Sequence, residues 1–291
     1  MKPAAFTYLA PRTRKEVVDL LDRYGDRAKL LAGGQTLVPM MNFRLVRPEF
    51  LIDLNRVHDL SYIKESNGVL AIGALTRHRE IERSSLVQQL CPLAYQAVPH
   101  IAHTVIRNRG TIGGSLAHAD PAAEWALVVT ALNAELVLES SRGSRTVPAA
   151  EFFIAQLTTV MESDEILVEV RLPIAVGQYG VAFTEINRRH GDFALTSVAA
   201  QIRLAEDATL EQFTLAVGAV EQVPLNVSSY GEQFKGCRIE DDTFDGIERE
   251  IVAGIDPIFD IHASAEYRRD LVEALVPRVL KAAIARARGV A

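Results

Sequence analysis

The sequence predicts an α+β fold in two parts, and three observations carry that prediction. Short apolar runs alternate with helical patterns as far as Leu172. Composition then shifts over residues 173–180, and beyond it successive runs alternate apolar and polar residues, as in an antiparallel meander covered on one face. Helical runs close the chain, the last carrying an apolar stripe suited to covering that sheet.

The elements follow in order. Val17, Val18, Leu20, Leu21 and Tyr24 share one face of a helix that Gly25 ends. Lys29-Leu30-Leu31-Ala32 reads as a strand, residues 37–44 as a helix that tolerates Pro39 only in its first turn, and residues 51–54 and 69–73 as strands. Between Arg77 and Ala102 the pattern is helical, broken by Pro92 and Pro99. Asp120-Pro121-Ala122-Ala123-Glu124 has the chemistry of a helix start: Asp120 as cap, Pro121 in the first position, Glu124 in the first turn. That helix runs to Leu132, and strands follow at 134–139 and 166–172.

In the second part, Val181 and Phe183 begin a strand. Val198, Ala200, Ile202 and Leu204 form the inner face of the next, with Ser197, Gln201 and Arg203 outside. Phe213, Leu215, Val217 and Ala219 repeat the pattern. Helices are expected at 240–253 and 263–288, the latter with a kink or break at Pro277, where an interior proline costs about 3 kcal/mol.

Two glycine pairs stand out: Ala32-Gly33-Gly34-Gln35-Thr36 and Thr111-Ile112-Gly113-Gly114-Ser115. Consecutive glycines let main-chain N–H groups converge on an anion. Two such loops, each ending in a hydroxyl residue, point to adjacent anionic groups such as a dinucleotide diphosphate. Neither is a Walker A loop, and neither matches Gly-x-Gly-x-x-Gly. The bland alternative is a pair of tight turns.

Other constellations are weaker. Ser115, His118 and Asp120 could be drawn as a hydrolytic triad, but no Gly-x-Ser-x-Gly elbow is present. His100, His103 and His118 could be drawn as a metal site, though surface or hydrogen-bonded histidines explain them better. Arg188-Arg189-His190-Gly191-Asp192-Phe193 reads as a polar turn before a strand, or as a turn presenting Phe193 to a flat cofactor.

Composition bounds the partners. The chain has 291 residues, 48% of them hydrophobic, enough for a substantial core. A net charge of −6 argues against nucleic acid. The two cysteines, Cys91 and Cys237, cannot supply an iron–sulfur cluster. No signal peptide or membrane span is read, and a cytoplasmic protein is expected.

With these residues in hand, the chain resembles the flavin-binding medium subunit of molybdenum hydroxylases, the family of the carbon monoxide dehydrogenase medium subunit and the FAD domain of xanthine dehydrogenase. Both glycine segments carry the resemblance, together with Ile52-Asp53-Leu54, Ile72-Gly73-Ala74, Arg107-Asn108-Arg109-Gly110, Ala117-His118-Ala119-Asp120-Pro121, Arg189-His190-Gly191-Asp192-Phe193-Ala194 and Ser264-Ala265-Glu266-Tyr267-Arg268-Arg269.

The resemblance implies an FAD-binding fold of the vanillyl-alcohol oxidase and p-cresol methylhydroxylase type, with a C-terminal antiparallel sheet and helices. Residues 1–176 would bind FAD, in subdomains of about 1–57 and 58–176, and residues 177–291 would form the C-terminal flavoprotein domain. Ala32, Gly33, Gly34, Gln35 and Thr36, with Thr111, Ile112, Gly113, Gly114 and Ser115, would hold the diphosphate through backbone amides and the two hydroxyls. Asp120 would contact the ribityl or sugar portion. Phe193 would lie against the isoalloxazine, where relatives often place Tyr. No residue here would be catalytic on the organic substrate. The implied partners are a large molybdopterin-binding subunit and a small subunit with two 2Fe–2S clusters, assembled as a dimer of heterotrimers. A self-contained FAD-dependent oxidoreductase and a non-catalytic nucleotide-binding or assembly module are the alternatives.

Overall fold

Thr13 caps the first helix, Arg14–Tyr24, by accepting the Glu16 N–H, and Gly25 ends it at φ 49°. Its Val17, Val18 and Leu21 are buried with Ile52 and Leu54. Those residues back a parallel three-stranded sheet ordered Thr7–Leu9, Phe50–Asp53, Ala28–Leu31. The strand Thr7–Leu9 is too short to show a period in the sequence. In this computed structural model, residues 1–177, 179–240 and 242–289 are described.

The second sheet is antiparallel, with five strands ordered Ile63–Ser66, Val69–Gly73, Ile166–Pro173, Glu135–Ser140, Gly143–Pro148. Its central strand comes from the far end of the segment. Short helices fill the insertion between Val69–Gly73 and Glu135–Ser140: His78–Glu82, Ser85–Leu90, Pro92–Ala97, Thr104–Arg107, Ile112–His118 and Glu124–Ala131. The helical stretch breaks at Pro92, as the sequence predicts, and Pro92 opens the next helix at its first position. Trp125, Leu127, Leu70, Ile72 and Leu136 share the core beneath them.

The third sheet runs Tyr179–Asn187, Ala194–Leu204, Leu210–Gly218, Leu225–Asn226, all antiparallel. The helix Ala265–Ala287 covers one face, with Val272, Val276 and Val279 against Val198, Ala200 and Leu215. Gly180 permits the close approach, because a Cβ there would overlap the Ala283 carbonyl.

Several expectations are corrected. The meander is covered on both faces, not one: Ser197 and Gln201, which the alternation places outside, are 2% and 5% exposed. The fully buried helix Glu124–Ala131 lies against this second face, with Leu127 beside Gly218. Ala199 and Ala216 therefore join the same core as Leu127. That helix starts three residues later than predicted, and Asp120 does not cap it. Asp120 instead closes a turn by accepting the Ala122 N–H at 2.9 Å. Ala265–Ala287 runs unbroken through Pro277, which sits on the exposed side. The preceding helix is only Ile247–Gly254, because Gly246 takes φ 91°. Asp241 of its predicted range lies outside the described residues, as do Gln178 of the predicted boundary and Val290 and Ala291 at the end.

Candidate functional site

The first glycine segment is a turn between the strand Ala28–Leu31 and the helix Leu37–Asn42. Gly34 takes φ 72°, open to glycine at little cost. Gln35 Nε2 donates to Gly33 O at 3.0 Å and steadies the turn. Among the described residues, the amides of Gly33, Gly34, Gln35 and Thr36 have no hydrogen-bond acceptor. Successive unpaired N–H groups in a turn are suited to an anion. Gly33 is itself buried, and a Cβ there would overlap the Arg109 carbonyl. The two glycine segments therefore lie side by side, with Ala32 Cβ 3.5 Å from where a Gly114 Cβ would stand.

The second segment departs from expectation. It is not a loop but the first turn of the helix Ile112–His118, capped by Thr111. Its amides are already engaged. Ile112 donates to Thr76 O at 3.2 Å, Gly113 to Ala74 O at 2.9 Å, Gly114 to Thr111 Oγ1 at 3.1 Å and Ser115 to Thr111 O at 3.1 Å. What it presents outward is the exposed face of Gly114 and the half-buried Ser115. Gly113 has a packing reason, since a Cβ would press on Ala74.

Sequence reasoning missed the residues that join the segments. Arg77 donates through Nη1 to the Arg109 carbonyl and through Nη2 to Asn55 Oδ1 at 2.5 Å. Asn55 donates in turn to Ala32 O at 3.0 Å. Asp53 accepts from Tyr8 and from the Asn55 amide. Burial opposes its ionisation, but the hydrogen bonds from Tyr8 and Asn55 hold it below the usual carboxylate range. Burial and the nearby Arg109 charge lower the Arg77 pKa. Behind Arg77, His78 is buried and accepts the Trp125 indole N–H. The available signal was position: Asn55 follows one predicted strand, and Arg77 and His78 follow another.

Asp120 is half-buried on the turn after the helix Ile112–His118. Phe193 is 63% exposed. Its turn is braced by His103, whose ring packs on Gly191 and lies 5.8 Å from that of His190. His103 precedes the helix Thr104–Arg107, which leads into the second glycine segment. Nearby, Glu124 is buried close to Glu185; burial first, then the Glu185 charge, pushes its carboxyl up to about 8. Glu185 Oε1 accepts from Asn187 Nδ2 at 3.0 Å, while its Oε2 is buried with no hydrogen-bond partner among the described residues.

The competing chemistries gain no geometry. No hydrogen bond joins Ser115, His118 and Asp120 among the described residues, and no group there of three or more His, Cys, Asp or Glu could hold a metal. A cavity of about 530 Å³ opens elsewhere, beside Arg14, Tyr62 and Glu169. Most of its charges are paired, Arg14 with Asp59 at 2.7 Å and Arg171 with Glu169 at 2.7 Å, and Tyr62 donates to Glu169 at 2.6 Å. No helix among the described residues is long and apolar enough to cross a membrane.

Open main-chain amides in a glycine turn, packed against the chain at Arg109 and Gly110, are the chemistry of a protein that holds an anionic cofactor through its backbone. Known proteins make that class specific. Residues 4–175 match the FAD binding domain in molybdopterin dehydrogenase, and residues 181–283 match the CO dehydrogenase flavoprotein C-terminal domain. The chain is 38% identical to the 6-hydroxypseudooxynicotine dehydrogenase complex subunit alpha of Paenarthrobacter nicotinovorans, over 99% of this chain and 97% of that protein. It is 35% identical to the carbon monoxide dehydrogenase medium chain of Hydrogenophaga pseudoflava, over 98% and 99%. The carbon monoxide dehydrogenase structure from that organism superposes with a TM-score of 0.94 at 36% identity, covering 98% of this chain and 99% of that one. Quinoline 2-oxidoreductase from Pseudomonas putida 86 gives 0.91 at 36% identity, covering 100% and 99%. The chain belongs to the FAD-binding medium-subunit family of molybdenum hydroxylases, and its fold is the one the sequence resemblance implied.

Proposed function

We propose that this chain is the FAD-containing electron-transfer subunit of a molybdenum hydroxylase complex. It receives electrons from the iron–sulfur clusters of a small partner subunit and passes them to an external acceptor. A large partner carries the molybdopterin centre where substrate is oxidised. The assembly is a dimer of heterotrimers, a heterohexamer, in the cytoplasm. The division into residues 1–57, 58–176 and 177–291 is part of the same reading.

The observation that supports it most is the first glycine turn. Four adjacent amides, Gly33 to Thr36, have no acceptor among the described residues, in a chain matched over residues 4–175 and 181–283 by flavoprotein domains. These amides and the hydroxyls of Thr36 and Ser115 would hold the diphosphate. Ala32, Thr111, Ile112, Gly113 and Gly114 would shape the cradle, and Gln35 would stiffen it. Asp120 would bind the ribityl or sugar portion, and Phe193 would cover the flavin ring. When bound, FAD exchanges electrons singly or in pairs, and the protein contributes binding, orientation and electrostatics. The clusters belong to the partner, because Cys91 is buried and Cys237 stands alone.

The test is to purify the native complex, assign FAD to this chain, and follow the flavin and cluster spectra during reduction by substrate. Flavin reduction that follows cluster reduction is expected. A colourless chain would overturn the reading. So would an isolated chain that oxidises a small substrate at the rate of the whole complex, the behaviour of a self-contained oxidoreductase.

A further inference from the structure

Two arginines flank Asn108 and do opposite things. Arg107 turns inward: it pairs with Glu82 at 3.1 Å and donates to the carbonyls of Ile101 and Ala102 at 2.9 Å. It holds the fold. Arg109 is exposed, and its guanidinium has neither salt bridge nor hydrogen bond among the described residues. Its carbonyl, however, abuts Gly33 and accepts from Arg77.

Arg77 is half-buried at the same junction and forms no salt bridge among the described residues. Of the guanidinium's five N–H donors, one on each Nη is engaged. The Nε–H and the second hydrogen of each Nη remain. The Asp53 and Glu80 carboxylates offset part of the Arg77 charge without pairing with it, and Arg109 has no carboxylate partner among the described residues, which leaves an excess of positive charge at the joint of a turn with open amides. Such an excess costs stability unless an anion relieves it.

We propose that Arg77 and Arg109 are the cationic half of the diphosphate site, and that Arg77 also sets the spacing of the two glycine segments. The inference rests on the FAD reading above. Through Asn55, the Arg77 fork ties Ala32 O of the first segment to Arg109 O, two residues before the second. The planar fork matters, because a lysine offers charge without two directed donors. Arg77 is thus a positioning residue and a counter-charge, and Arg109 a counter-charge alone.

The test uses the full chain stripped of flavin. FAD affinity is measured by fluorescence quenching across ionic strength, with riboflavin as the ligand lacking phosphate and inorganic pyrophosphate as competitor. Arg109→Gln should weaken FAD binding about tenfold at low salt, roughly one charge-assisted hydrogen bond, with the gap closing as salt rises. Its melting temperature and riboflavin affinity should match the wild type. Arg77→Met should weaken FAD about a hundredfold and abolish pyrophosphate competition. Arg77→Lys should keep the salt dependence of FAD binding yet lower the apo melting temperature. Unchanged FAD affinity and salt dependence in Arg109→Gln would overturn the counter-charge. An Arg77→Lys chain as stable as wild type would overturn the spacing role. A wild-type chain that binds neither FAD nor pyrophosphate would instead sink the FAD reading itself.

Discussion

Trp125 donates its indole N–H to Nδ1 of His78 at 3.1 Å, with both side chains buried. The acceptor role of Nδ1 puts the imidazole proton on Nε2. That edge of the ring lies against Gly110, where a Cβ would come within 2.8 Å of Nε2. The His78 amide donates to Gly110 O at 3.0 Å. One neutral histidine thus links the buried core to the residue just before the second glycine segment.

His78 should make the protein acid-labile. Burial, then the charges of Arg107 and Arg77, pushes its pKa down from 6.5 to about 3. In the unfolded chain it protonates below 6.5; in the folded chain it stays neutral until about 3. Its contribution is therefore complete above 6.5 and is lost as pH falls towards 3. His78→Phe should flatten the fall in melting temperature over that interval. An unchanged slope would show that other groups govern acid unfolding.

Glu124 should act in the opposite direction. Its carboxyl is raised from 4.5 to about 8 by burial and by Glu185. The unfolded chain loses this proton near 4.5, while the folded chain keeps it until about 8. The contribution is whole below 4.5 and disappears as pH rises through 8. Glu124→Gln keeps a neutral side chain of similar size, so its melting temperature should exceed the wild type's above pH 8 and match it below 5. Equal melting curves at high pH would contradict a protonated Glu124.

The glycines should separate by mechanism. Gly114 is exposed, and a Cβ there meets mainly the Thr111 hydroxyl, at 2.8 Å. Gly114→Val should lose FAD by tenfold or more, while the melting temperature falls only a few degrees. Gly113→Ala should instead destabilise the fold by about 1–3 kcal/mol, because Ala74 presses on it. Stoichiometric flavin retained in Gly114→Val would contradict the assigned cradle.

Phe193 should matter to the cofactor and not to the fold. It is 63% exposed. Phe193→Ala should leave the apo unfolding free energy within about 0.5 kcal/mol of wild type. The flavin absorbance envelope and redox midpoint should shift. A large loss of apo stability would reassign Phe193 to packing.

Arg268 should be a stability residue. It is buried, donates to the carbonyls of Leu195 and Ala219, and pairs with Asp260 at 2.8 Å. Arg268→Met should cost at least about 2 kcal/mol in denaturant unfolding, since the buried Ala219 carbonyl loses its side-chain donor and Leu195 O keeps only the Thr196 hydroxyl. A loss under 0.5 kcal/mol would mean that water or neighbours satisfy them.

Much of the site was legible because its chemistry is local. Gly34 announces a turn that other residues take only with strain, Gly33 leaves room for the Arg109 carbonyl, and Thr36 follows them. Thr111 before Ile112 reads as a cap in hindsight. The sequence still could not show that the Gly113 and Gly114 amides are engaged, because their acceptors, Ala74 O and Thr111 Oγ1, are fixed only when the segment packs. Ser197 and Gln201 misled for a related reason: alternation records side-chain polarity, not what later covers the face.

By itself the sequence determined the longer helices and strands and their order, the α+β class, the family and the first glycine turn. Each depends on periodicity, backbone freedom or a contiguous motif. The tertiary structure alone decided that Arg77 and Asn55 clasp the two segments, that Glu124 is buried beside Glu185, and that the C-terminal sheet is covered on both faces. These are contacts between residues distant along the chain. Their energies come from desolvation and from directed hydrogen bonds that exist only once packing brings the partners together.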